Sequence, residues 1–88
     1  RQKKADALIR EYTMDYAALE NTLLDNSHDS QEYKNAKAAL DDHEFIANSI
    51  YQDVVNAIGQ SDVRFLGTAW IKERIKTRMI RMSLIRED

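Results

Sequence analysis

Residues 33–57 read YKNAKAALDDHEFIANSIYQDVVNA, and their seam positions fall at Tyr33, Ala36, Leu40, His43, Ala47, Ile50, Val54 and Ala57. Intervals alternating between three and four residues keep one stripe of an α-helix facing one direction, whereas a strand would need a period of two. The spacing predicts one continuous, coiled-coil-like helix from about residue 30 to 58. Asp29 followed by Glu32 has the form of a capping box, in which each side chain accepts a backbone N–H at the helix start. Gly59 stands where a helix of this length needs a C-terminal residue free of Cβ constraint. The first half of the seam is narrow and rich in Ala. From Ile46 onward the apolar arc broadens to include Tyr51, Val55 and Ile58.

The same reading extends in both directions. Upstream, Ala5, Ile9, Tyr12, Tyr16, Leu19 and Leu23 repeat the alternating spacing and predict a helix over about 3–25, with Leu8 widening its stripe. The stretch Asn26-Ser27-His28-Asp29-Ser30 then supplies turn-forming and capping side chains. Downstream, Ser61 or Asp62 is placed to cap a third helix over about 63–86. At 100° per residue this helix carries two apolar stripes. One is Ile71, Ile75, Met79, Met82 and Ile85; the other, on roughly the opposite side, is Val63, Leu66, Trp70, Ile80 and Leu84. Gly67 weakens its first turns and marks a kink or a restart at Thr68. The connections are short, which implies antiparallel neighbours. The fold expected is all-α: a single domain over 1–88, arranged up-down-up as a long helical hairpin plus a two-faced third helix, and assembled into an oligomer.

Composition supports helices over strands and excludes several chemistries. The chain of 88 residues has no Pro, two Gly and no Cys. It lacks the residues that punctuate short strands, and it can form neither disulfides nor thiolate metal sites. Its longest uncharged stretches are too short to cross a bilayer, and no signal-peptide pattern opens it. A cytoplasmic location is the expectation. The chain begins at Arg1 rather than Met, which fits a processed product or a fragment of a longer protein.

Charge is strongly polarised although the net value is −2. Residues 11–62 carry eleven acids against Lys34 and Lys37, whereas residues 63–86 carry seven bases against Glu73. Arg74, Arg78 and Arg81 form a row along one edge of the third helix, and Lys72 and Lys76 line the other edge. Such a helix can meet nucleic-acid phosphates or the acids of another helix.

Catalysis finds no foothold. His43-Glu44 begins like a zincin motif, but the second histidine is replaced by Ala47. His43 is read as a seam residue, with a pH-sensitive interface as its one functional use. No Ser sits in a Gly-flanked elbow, and two glycines eight apart cannot build a phosphate loop. No cofactor and no metal are expected. The function expected is a non-catalytic protein–protein interaction or oligomerisation module, an adaptor or regulatory accessory protein. Its interface would be Val63, Leu66, Trp70, Ile80 and Leu84, with Tyr51, Val55 and Ile58 beside them, facing a second copy or another helical protein. The alternative is a nucleic-acid-binding accessory factor that uses Lys72, Arg74, Lys76, Arg78 and Arg81.

Overall fold

The computed structural model describes residues 1–85. All regular structure among them is helical, in six segments: α1 (Gln2–Ala17), α2 (Leu19–Asp25), α3 (Gln31–Asp41), α4 (His43–Ile58), α5 (Gln60–Leu66) and α6 (Thr68–Arg81). The helices expected over 3–25 and 30–58 are each interrupted, and the third restarts at Thr68, as Gly67 led us to expect; each break has a local cause.

Between α1 and α2 the interruption is slight, because Ala18 keeps helical dihedrals (φ −63°, ψ −21°). The Asn21 N–H reaches back only three residues, to the Ala18 carbonyl, a local tightening within one rod. One turn earlier, the buried Thr13 hydroxyl donates to the Ile9 carbonyl, a back-bond that slightly bends helices.

The expected helix over 30–58 divides at Asp42, which leaves helical space (φ −102°, ψ 82°). Its carboxylate accepts the Phe45 N–H at 3.0 Å, so Asp42 is the N-cap of a new helix. The break changes which residues face inward. Ile46, Ile50 and Val54 are fully buried, while His43 and Ala57 are exposed. The seam position assigned to His43 is therefore corrected in favour of Ile46. Burying an isoleucine gains about 1.5–3 kcal/mol, whereas a histidine there would need a partner for each buried nitrogen.

Upstream, the N-cap of α3 is Ser30 rather than Asp29. Its Oγ accepts the Tyr33 N–H at 3.1 Å and donates to the Ser27 carbonyl at 2.8 Å. Position 33 is Tyr, so no reciprocal side-chain acceptor closes a full capping box.

Gly59 and Gly67 divide the remainder, with φ of 87° and 91°. Their extended ψ values (165° and 137°) place both in a region that is essentially restricted to glycine. Ser61 and Asp62 lie inside the first turn of α5 and do not cap it. The helix expected to reach residue 86 ends at Arg81. There the Ser83 N–H bonds to the Ile80 carbonyl and the Leu84 N–H to the Met79 carbonyl, the paired bonds of a Schellman turn. Ser83 holds the left-handed position (φ 61°), and Leu84 folds back into the core at 5% exposure. Arg86 lies outside the described residues.

Segments α1, α4 and α6 pack against one another pairwise, and α2 packs on α3. The core between them consists of Ile9, Ile46, Ile50, Val54, Ile71, Ile75, Met79 and Leu84. Arg1 meets Asp62 and Asp6 meets Arg74, so α1 and α6 run in the same direction, with α4 opposed. The molecule measures 46 × 28 × 18 Å with a radius of gyration of 14.2 Å. A compact chain of this length would have a radius near about 12 Å. The excess is the hairpin arm. Measured from the Asp6–Arg74 pair at 1.5 Å per residue, the first rod runs about 28 Å on to Asp25 and α6 only about 10 Å on to Arg81. The α2–α3 end therefore extends past the last turn of α6.

Candidate functional site

Most of the side chains expected at an interface are engaged within this chain. Val63, Leu66, Trp70, Tyr51 and Ile58 are half-buried and pack on the core, and Leu84 belongs to it. Val55 and Ile80 are half-buried without joining that packing. The second stripe of the third helix is thus shared between α5, the start of α6 and the terminal turn. Gly67 and Ser83 redirect the chain at both ends of α6, so the stripe does not run along one straight helix.

The bases of α6 also differ from one another. The Lys72 ammonium lies 5.1 Å from the Tyr51 ring centroid. Arg74 lies 5.1 Å from the Trp70 ring, and its Nε is 3.9 Å from Asp6 Oδ1. Lys76 and Arg81 are exposed and Arg78 is half-buried. None of these three forms an ion pair with an acid among the described residues. At the same end of the molecule, the Arg1 guanidinium covers the Phe65 ring at 4.2 Å and pairs with Asp62 at 3.4 Å. Phe65 remains 66% exposed.

The opposite end holds a groove of about 620 Å³. Its walls come from three places. Glu20, Leu23 and Leu24 project from α2, Leu40 and His43 from the α3–α4 junction, and Ser83, Leu84 and Ile85 from the turn after α6. Each wall follows from a local feature already described. The Asp42 cap sets His43 at the rim rather than in the core. The Schellman turn stops α6 and places Leu84 across the groove from Leu23 and Leu24. Leu24 is 83% exposed, the most exposed of the large apolar side chains described. No side chain in α2 is fully buried, and in α3 only Ala36 is.

Glu20 is the acid that lines the groove. Residues 19–44 carry Glu20, Asp25, Asp29, Glu32, Asp41, Asp42 and Glu44 against Lys34 and Lys37. Of these acids only Asp41 pairs with a base among the described residues, Lys37, at 3.7 Å and largely in solvent. Arg1 and Arg74 pair with Asp62 and Asp6, whereas Arg78 and Arg81 stand in the last turn of α6, just before the Ser83–Ile85 wall of the groove. The basic helix does not lie across the acids Glu32, Asp41, Asp42, Glu44 and Asp53 as ion pairs.

Two signals in the sequence point to the groove. Leu23 and Leu24 are adjacent, hence 100° apart on a helix, so they cannot both face the hairpin partner. Lys34 to Leu40 offers mostly Ala and charged residues, too little apolar surface to cover them. Among protein-family models, curated proteins and solved structures, the chain has no match.

Proposed function

We propose that this chain is a non-catalytic helical interaction module whose docking surface is the groove between the hairpin arm and the terminal turn of α6. One observation carries the reading: Leu24, 83% exposed, lines one groove together with the half-buried Leu23 and Leu40 at the end of the arm. Exposed apolar surface grouped in a concavity marks a binding site, whereas scattered surface leucines do not. An adaptor or accessory role follows, because a domain this small presents a groove and little else. Within this reading α1–α2, α3–α4 and α6 act as the three rods of an up-down-up bundle that a fourth helix completes.

Solvent mapping tests it without a known partner. A few per cent isopropanol, followed by amide shifts in a ¹H–¹⁵N correlation spectrum, should move Leu23, Leu24, Leu40, Leu84 and Ile85 most. Shifts concentrated instead around Phe65 and Trp70 would place the sticky surface at the other end and defeat the proposal.

A second reading has one observation in its favour. Three aromatic rings, Phe65, Trp70 and Tyr51, each carry a cation at the base-rich end. Single-stranded nucleic acid is bound by stacking on such rings beside positive charge. Mobility shift with single-stranded and duplex probes at low salt tests this; an unshifted probe removes the reading.

A further inference from the structure

We infer that the seam between α1 and α6 is an oxyanion site that takes phosphate groups through Arg10, Arg78 and Arg81. The site shares no residue with the leucine groove or with the three cation-bearing rings, so its failure would leave both of those readings standing.

Register gives the geometry. The Asp6–Arg74 pair fixes where the two parallel helices lie alongside each other. One turn on, four residues along each helix, Arg10 stands level with Arg78, and Arg81 follows three residues later. Direction around each axis agrees. Arg10 lies about 40° from Asp6 on α1, and Arg78 and Arg81 lie about 40° and 20° to either side of Arg74 on α6. All three therefore face the seam. Lys72, which reaches Tyr51 of α4, and Lys76 each lie about 160° from Arg74. The five bases that the sequence groups on this helix thus divide between two sides.

Charge gives the chemistry. Asp6, the acid of this seam, pairs with Arg74. Arg10, Arg78 and Arg81 pair with no acid among the described residues. Glu11 and Asp15 lie about 100° and 140° round α1 from Arg10, and Glu73 about 140° round α6 from Arg78. Glu11 and Asp15 border a surface depression with Arg10, but not as ion pairs. Arg78 is half-buried, so a guanidinium that cannot shed its proton is held beside a second one. Like charges so placed repel, the more so where water is partly excluded. An anion between them turns that repulsion into attraction. Arginine forks match phosphate oxygens bidentately. A phosphate offers three acceptor oxygens and more charge than a carboxylate, so it satisfies more of three forks at once.

Calorimetric titration of the full chain with pyrophosphate tests the site, with citrate as a carboxylate control of similar charge. Pyrophosphate should bind at one site, at least about fivefold tighter than citrate. Arg10→Gln and Arg78→Gln should each weaken it at least about fivefold, whereas Lys72→Gln and Lys76→Gln should change it less than about twofold. Without phosphate, Arg10→Gln and Arg78→Gln should melt no lower than the parent chain, because each removes a repelling cation. A single-stranded oligonucleotide separates the sources. Binding that pyrophosphate displaces and Arg78→Gln weakens upholds the site and assigns it to a nucleic-acid backbone; pyrophosphate binding alone upholds it for free phosphates. No pyrophosphate binding up to about 10 mM would overturn the assignment. So would equal weakening by Lys72→Gln and Arg78→Gln, which would reveal diffuse charge only. A marked fall in melting temperature for Arg78→Gln without phosphate would also overturn it, since Arg78 would then be holding the fold.

Discussion

Ser83 carries a left-handed backbone where helices more often place glycine, and it does so to turn Leu84 into the core. The Cβ of an L-residue is penalised in that conformation by roughly 1–2 kcal/mol, partly offset for glycine by its larger entropy when unfolded. Ser83→Gly should therefore stabilise the fold by about 0.5–1 kcal/mol in urea denaturation. A loss of stability would mean that the Ser83 side chain contributes more than its backbone costs. The two observed side-chain caps, Ser30 and Asp42, should each cost about 1 kcal/mol when changed to Ala. Asp29→Ala should cost markedly less, which separates the observed cap from the one that spacing favours. Spacing alone could not distinguish them. Asp29-x-x-Glu32 and Ser30-x-x-Tyr33 are both acceptable helix starts; in the observed one Tyr33 stacks on His28, with ring centroids 4.5 Å apart.

At the scale of elements, periodicity located helical sequence well and helix ends less well. The seam of residues 3–25 was legible because Ala5 and Ile9 lie deep in the core and Tyr12 and Tyr16 pack against it. The division at Asp42 was not, because an unbroken heptad-like pattern passes through His43. Only the burial gained by Ile46 decides the register of α4, and that depends on α1 and α6. The two glycines are legible in kind, as breaks, but the complete separation of α5 from α6 follows from a ψ that no spacing reveals. Neither glycine has an atom within 4 Å of where a Cβ would stand. Gly59→Ala and Gly67→Ala should then destabilise by about 1–3 kcal/mol through backbone conformation alone. A cost near zero in thermal denaturation would contradict the dihedrals. Local stability should also differ between elements. With at most one fully buried side chain each, α2 and α3 should exchange amide hydrogens well before α4 and α6. Uniform protection along the hairpin would show the arm to be as firmly held as the core.

For the whole molecule, the decisive feature is unequal helix lengths in a body 46 Å long. Charge asymmetry was plain in the sequence, yet its use was not. A basic helix laid against acidic neighbours was the simpler arrangement, and among the described residues Arg74 is the one base of α6 that pairs with an acid, Asp6. The apolar surplus was legible too, but it was assigned to the third helix. There Gly67 and Ser83 turn much of it towards the core, and on the arm Leu24 stands exposed. Recording ¹H–¹⁵N spectra of the full chain during titration with isopropanol tests the docking groove most directly. The amides of Leu23, Leu24, Leu40, Leu84 and Ile85 should shift and saturate together while those of Phe65 and Lys72 stay in place. Saturating shifts centred on Phe65 and Lys72, or none at the arm, would contradict it.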